Sequence, residues 1–377
     1  MVVAASVVVA LGTATGMISA LDDGTGSDEA RPDTTHSPRL ETLPVVPPPS
    51  PSPSASASES PSPTPKAKKR KAASPTPAPS RTERRTAAAS TRLYSHPASQ
   101  VQDWVRDNAG DPRHDVIRSR IAAQPAAVWF ADFTPDTITS RVRAVTSGGA
   151  AQGRVPLVVA YAIPDRDCGG ASQGGAPDLG AYDDWIDRFA AGLGSGQVIV
   201  VLEPDSVAQA ECLSGDERAA RFASLARAGR VLKDANPNAR VYYDAGHSGW
   251  HPAATQAGWL RQAGAASPAS SDGIFSNVSN FHTTADEIAY DRQVLDALGG
   301  PASLGAVIDT SRNGNGAPAD GEWCDPAGRA LGRAPSLSTG EARIHAYLWV
   351  KLPGESDGCK GTPGTFSASY AYELASS

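Results

Sequence analysis

Acidic side chains are the groups in this sequence whose placement could do chemistry. Asp167 in YAIPDRDC, Asp205 in VIVVLEPDSVAQ and Asp357 in WVKLPGESDGC each lie just beyond a run of apolar residues. Carboxyls offered from separate stretches suit glycoside hydrolysis, where one acid protonates the leaving oxygen and a second group activates water or attacks the sugar. A second negative charge near Asp205 would hold its proton on, a role open to Asp167. Each residue also has a plainer reading. Asp205 and Ser206 could cap the next helix, Asp167 could pair with Arg166, and Asp357 could be a turn residue before Gly358. No Gly-rich phosphate loop or HExxH is present, so the corresponding nucleotide and zinc chemistries have no motif here.

These groups must be positioned by a succession of strands and helices. Seven apolar runs rich in Val, Ile and aromatics read as strands: 127–133, 156–163, 197–202, 240–243, 273–280, 304–310 and 344–351. Helical patterns separate most of them, including 217–232 and 182–193, where Trp185, Ile186, Phe189 and Leu193 recur on one face. Strands apolar nearly throughout, alternating with helices, predict a parallel sheet covered by helices. Polar groups follow every strand: Asp132; Asp165, Arg166 and Asp167; Glu203 and Asp205; Asp244 and His247; Asn277 and Asn280; Asp309 and Arg312; Lys351, Glu355 and Asp357. In a barrel of parallel strands those ends share one rim, which predicts a polar cleft there.

Aromatics divide by context. Trp104, Trp185 and Trp259 sit in helical patterns and read as core, whereas Trp129, Trp250, Trp323 and Trp349 lie at strand ends or in loops, where a flat ring can stack on a pyranose. His247 reads as a hydrogen-bonded structural histidine, because no second ligand stands at metal spacing. Neither metal nor cofactor is expected. Cys168, Cys212, Cys324 and Cys359 make an even count, which in an exported chain predicts two disulfides and leaves three pairings open.

Of the 377 residues, 1–21 are apolar or small and are expected to be a signal peptide or membrane anchor, although a basic n-region and an A-x-A site are missing. Residues 22–91 are dominated by Pro, Ser, Thr, Ala and charge and are expected to form a disordered linker. Within it, Lys66, Lys68, Lys69, Arg70 and Lys71 read as a solvated cluster or as attraction to an anionic wall. A net charge of -6 argues against a nucleic-acid partner. The catalytic domain is expected over 92–377, as a monomer.

Seven segments in order, VVAYAIPDRDCGG, VIVVLEPDSVA, VYYDAGHSGW, SNVSNF, VIDTSRNGNG, EWCDPAGRALG and LWVKLPGESDGC, resemble glycoside hydrolase family 6. The resemblance implies a distorted seven-stranded parallel β/α barrel (TIM-like) with an open cleft at the C-terminal strand ends, and hydrolysis of β-1,4-glucosidic bonds with inversion. It implies Asp205 as general acid, Asp167 as the carboxylate raising its pKa, and Asp357 or a water chain as base. Tyr161 matches the tyrosine beside the distorted ring and Ser172 the mobile loop that holds the water. Trp129, Trp250 and Trp323 match stacking positions, Lys351 and Glu355 match sugar-binding positions, and Asp244, His247 and Asn280 are counted with them. Cysteine pairing by the same analogy is Cys168 with Cys212 and Cys324 with Cys359. Processive members carry a long loop near the last carboxylate motif, whereas here Cys359 follows Asp357 after one residue. That difference favours an endo-acting cellulase, secreted or anchored at the outer membrane face, with a β-1,4-glucan substrate. The rival expectations are an exo-acting cellobiohydrolase and a catalytically spent, wall-associated glucan-binding protein.

Overall fold

The computed structural model describes residues 92–377, so the expected signal or anchor and the expected linker lie outside the described residues. Strands β1 (Val128–Phe130), β2 (Leu157–Ala160), β3 (Val198–Leu202), β4 (Ala239–Asp244), β5 (Gly273–Ser276), β6 (Gly305–Asp309) and β7 (Ile344–Leu348) form one sheet in sequence order. Every neighbouring pair is parallel. Helices α1 (Gln100–Asp107), α2 (His114–Ile117), α3 (Ile138–Ala151), α4 (Leu179–Ala191), α5 (Gly215–Ala235), α6 (Ala253–Gln262), α7 (Thr284–Leu298) and α8 (Ala368–Ser376) complete the described part.

Side-chain alternation sorts the strand residues into two cores. Val158, Ala160, Val200, Leu202, Val241, Tyr243, Ile274 and Ile308 point outward and pack under helix residues such as Trp185, Phe189, Leu225 and Leu295. The other parity, including Leu157, Val159, Tyr161, Ile199, Val201, Tyr242, Phe275, Val307 and Leu348, fills the inside of the curled sheet. Fully burying a Val, Leu, Ile or Phe among them stabilises the fold by about 1.5–3 kcal/mol. Helices α1, α4, α5, α7 and α8 begin on side-chain caps, with Asp178 accepting from the Ala181 amide and a reciprocal Ser214–Glu217 box at α5.

The sheet curls into an incomplete barrel. Among the described residues no ladder joins β1 to β7, and the gap is crossed by the Ala127 N–H to the Trp349 carbonyl (2.9 Å) and the Trp129 indole N–H to the Val350 carbonyl (2.7 Å). Seven strands stand where the apolar runs place them, but most end earlier. The run expected to reach residue 163 leaves the ladder after Ala160 because the amides of Ala162 and Ile163 bond to the Glu203 carboxylate. The run expected to reach 280 stops at Ser276, since Asn277 and Ser279 adopt φ of 65° and 59°. Trp349, expected as a possible sugar platform, is 2% exposed and packs with Val101, Ile117 and Leu352.

Gly273 shows how tightly β5 and β6 meet. Its φ is +136°, and a Cβ there would overlap the Gly305 carbonyl oxygen, whereas a Cβ on Gly110 would meet nothing within 4 Å. Gly273→Ala is therefore expected to lower unfolding free energy by about 2–4 kcal/mol. Gly110→Ala should stay within about 0.5 kcal/mol, both read from urea midpoints.

Candidate active site

A cleft of about 1530 Å³ runs across the C-terminal ends of the strands. Asp167, Asp205 and Asp357 all line it, as do Tyr161, Ser172, Trp129, His247, Trp250, Asn280, Trp323, Lys351 and Glu355. Asp244, expected with the substrate-binding residues, does not reach it. That side chain is 2% exposed, and its oxygens accept the amides of Val207 (3.1 Å), Ala208 (2.8 Å) and Gly246 (2.9 Å).

Asp244 belongs to a set of buried carboxylates that staple the rim. Glu203, at the end of β3, accepts the amides of Ala162 and Ile163 from the loop after β2, at 2.9 and 3.0 Å. Asp309, at the end of β6, accepts the Lys351 and Ser311 amides at 2.9 Å each. Burial raises the pKa of all three, and carries Glu203 to about 7, although the amides pull the other way. An unmet carboxylate or amide here would cost about 1–3 kcal/mol, so mutual satisfaction fixes the loops rather than leaving them free.

The loop after β2 presents Asp167. Asp165, Asp167 and Cys168 all have positive φ, at 52°, 56° and 46°, an arrangement that persists only where surroundings enforce it. The Cys168–Cys212 disulfide ties the loop to the segment after β3, and Cys324–Cys359 joins the two loops flanking Asp357. Both pairings are those the resemblance implies. Arg166 adds a clamp: its Nε donates to the Ser172 carbonyl (2.8 Å), its Nη1 to the Ala131 carbonyl (2.6 Å), and its guanidinium lies 4.4 Å from the Tyr161 ring centre. Asp167 Oδ2 accepts from the Ser172 amide (2.7 Å) and hydroxyl (3.0 Å), while Oδ1 accepts from Gln209 (3.2 Å).

Asp205 follows β3 with φ of 70° and keeps an edge on the cleft. Burial, then the charges of Asp244 and Asp167, push its pKa up to about 8, opposed by a hydrogen bond from Tyr161 Oη at 3.4 Å. Tyr161 continues the inward parity of β2, so its ring reaches the cleft floor, edge-on to Trp129 with ring centres 5.3 Å apart. Its hydroxyl also lies 3.1 Å from Ser172 Oγ.

Asp357 meets two cations. Arg312 Nη1 donates to its Oδ2 at 2.7 Å and Lys351 Nζ stands 3.2 Å from Oδ1. Arg312 is wholly buried. Asp325 holds the backbone around Asp357: burial acts to raise its pKa, but the Ser356 hydroxyl and the amides of Asp357, Lys360 and Cys359 outweigh this and bring it to about 2. Glu355 is pushed up to about 7 chiefly by burial and accepts from Gln100 at 3.1 Å. At the other end His247 stacks on His282 with ring centres 4.2 Å apart and accepts the Gly249 amide. Burial and the neighbouring His282 and His251 lower its pKa to about 3, so it is a neutral imidazole. Trp323 is 57% exposed on the rim, the most open aromatic surface here. Sequence reasoning missed the roles of Gln209, His282 and Asp325. Asp325 had a signal in EWCDPAG, an acid beside a cysteine; the other two had none.

A protonated carboxyl over an open cleft with further carboxylates and aromatic walls defines a glycoside hydrolase on a β/α barrel. A family model described as Glycosyl hydrolases family 6 matches residues 84–375. Endoglucanase 1 of Streptomyces sp. (strain KSM-9) is 52% identical over 291 residues, 77% of this chain and 79% of that protein. Endoglucanase A of Thermobispora bispora is 48% identical over 289 residues, 76% of this chain and 62% of that protein. The solved endoglucanase Cel6 from Mycobacterium tuberculosis aligns with a TM-score of 0.71 and 39% identity, over 76% of this chain and 97% of that one. The chain belongs to glycoside hydrolase family 6, and it is a hydrolase of β-1,4-glucan.

Two outcomes follow from the electrostatics. If Asp205 must carry its proton, kcat/KM falls about tenfold per unit as pH rises beyond about 8. Asp167→Asn removes a charge that raises the Asp205 pKa, so this limb moves to lower pH in that variant, as a pH series on carboxymethyl-cellulose will show. Asp325 works in the opposite sense. Its pKa is depressed, so its stabilisation is present above its ordinary value of 3.8 and is lost as pH falls through about 2. Asp325→Asn should therefore lower Tm at pH 6 and narrow the gap to wild type near pH 2.

Proposed function

We propose that the protein is an endo-acting β-1,4-glucanase that cuts internal bonds with inversion, with Asp205 as the proton donor. The raised pKa of Asp205 at the cleft surface carries this reading, because it leaves the carboxyl protonated at neutral pH. Asp205 gives its proton to the glycosidic oxygen, the C1–O bond breaks, and a water attacks C1 from the opposite face while losing a proton to the enzyme.

The neighbours of the two remaining acids bear on where that proton goes. Both Asp357 oxygens are already engaged by cations, Oδ2 by Arg312 and Oδ1 by Lys351, and Oδ2 also accepts the Asp325 amide at 3.2 Å. Ser172 and Asp167, joined at 3.0 Å, with Tyr161 against Ser172, form a polar run able to end a water relay. We therefore assign Asp167 as the terminus of the relay and Asp357 as a fixed negative charge facing the cationic sugar.

The endo mode is supported by the segment after Cys359. Residues 360–367 are folded back on the preceding loop by Ser356 N–H to Thr365 (2.9 Å), Gly364 N–H to Ser356 (2.9 Å) and Ser367 N–H to Gly354 (2.8 Å). The chain then enters α8, whose Tyr370, Ala371 and Leu374 are buried, so the segment is pinned at both ends, with Thr362, Pro363 and Gly364 in the cleft lining. Two disulfides fit an oxidising, extracellular setting.

On carboxymethyl-cellulose, wild type should lower viscosity well before reducing ends accumulate; slow viscosity loss with steady cellobiose release would point to exo attack. Asp205→Asn should reduce kcat by at least about 10³-fold with an unchanged circular dichroism spectrum. Nuclear magnetic resonance of fresh cello-oligosaccharide products should show the α-anomer first, and initial β-anomer would overturn inversion.

A further inference from the structure

The cleft does not stop at Trp129. Its lining continues over α1, the residues before it and the helical turn after α2, where Val101, Ile121 and Ala122 form an apolar floor and each is buried. His96, Ser99 and Gln124 stand over that floor, each partly exposed. An apolar floor edged by amide, hydroxyl and imidazole groups is the composition that receives a sugar ring, with its C–H face down and its hydroxyls outward.

The polar groups of this extension differ in whether they are already engaged. The Gln100 amide is fully committed: Nε2 donates to Glu355 Oε1 (3.1 Å) and the Gly364 carbonyl (2.7 Å), and Oε1 accepts the Phe366 amide (2.9 Å). It is therefore a wall that joins α1 to the Glu355 loop. His96 Nδ1, by contrast, is buried without a hydrogen-bond partner, although its ring touches Tyr94 edge-on. Burial lowers the His96 pKa, which keeps the imidazole neutral and able to accept or donate to a hydroxyl. Among the described residues the Gln124 side chain meets no partner, its backbone amide alone bonding to Ile121. Ser99 Oγ accepts from the Gln102 amide at 3.4 Å, which leaves its proton to give.

We propose that His96, Ser99 and Gln124 form an additional glucosyl subsite, beyond Trp129 and away from Trp250, that binds a further unit of the same β-1,4-glucan chain. This rests on the glucanase reading above. The unpaired His96 nitrogen and the free Gln124 amide are satisfied by sugar hydroxyls, and the floor replaces water at the ring face. Only chains long enough to extend past Trp129 gain from it.

The test compares cellotriose with cellohexaose. In wild type, kcat/KM should rise steeply between the two. The double variant His96→Ala/Gln124→Ala should lose about tenfold on cellohexaose, with a much smaller loss on cellotriose and a changed cleavage pattern on the longer chain. Binding of cellohexaose to Asp205→Asn enzyme, with and without the two alanines, should show the same tenfold difference in Kd by calorimetry. Equal losses on both lengths, or no loss on cellohexaose, would overturn the subsite while leaving the glucanase reading intact. A wild type that cleaves neither oligosaccharide would overturn both. Should the double variant fold poorly, Gln124→Glu serves instead, and an unaltered length dependence would count against the proposal.

Discussion

The structure turns on the expense of ionising Asp205. Its carboxyl is desolvated by burial and feels the nearby charges of Asp244 and Asp167, so a further negative charge there is unfavourable. Those two neighbours are held by different means. Asp244 is surrounded by three backbone amides, and Asp167 by Ser172 and Gln209. An unequal allotment of donors thus distinguishes three similar acids: two have hydrogen bonds that stabilise a negative oxygen, and Asp205 has the Tyr161 hydroxyl alone at 3.4 Å.

The same logic orders the whole rim. Polar residues after each strand read in the sequence as one continuous cleft lining, but the structure divides them. Glu203, Asp244 and Asp309 are buried staples that bind loop amides, while Asp167, Asp205 and Asp357 face the cleft. Each staple reaches to a loop from an adjacent strand: Glu203 to the loop after β2, Asp244 to the loop after β3, and Asp309 to the loop after β7. Strand ends that carry both a staple and a cleft-facing acid, as Glu203 and Asp205 do, transmit the rigidity of the sheet to the cleft. Positive φ at Glu203 and at Asp205 is the local consequence of turning the chain so that one points in and the other across.

Much of this was legible beforehand, for reasons that can be named. The seven strands announced themselves because both faces of each are covered, whereas Tyr161 came only from the family resemblance, and its parity with Leu157 and Val159 inside the barrel emerges from the structure. Strand ends were read too long because the deciding contacts are distant. Nothing near Ala162 states that its amide will be taken by a carboxylate 41 residues later. Arg312 was noted on the rim, yet its burial against Asp357 depends on a fold-level meeting of β6 and β7 loops. Asp244 looked like a cleft residue because it follows a strand, but the residue at a strand end points in or under according to a turn the local sequence does not specify.

Burying Arg312 has a consequence for the far side of the site. A guanidinium without solvent must find partners or cost several kcal/mol, and it has Asp357, the Tyr370 hydroxyl and the face of Phe281 at 4.4 Å. Tyr370 comes from α8 and Phe281 from the loop after β5, so the ion pair binds the last helix and a cleft wall to one carboxylate. Asp325 and the Cys324–Cys359 bridge then fix the backbone on either side of Asp357. Such heavy restraint suits a charge whose duty is to stay put while positive charge develops on the sugar, since an electrostatic stabiliser works best when it need not reorganise. On the mechanism proposed above, the cleft holds one mobile proton on Asp205, one loop at Ser172 and Asp167 able to pass protons, and one fixed negative charge at Asp357.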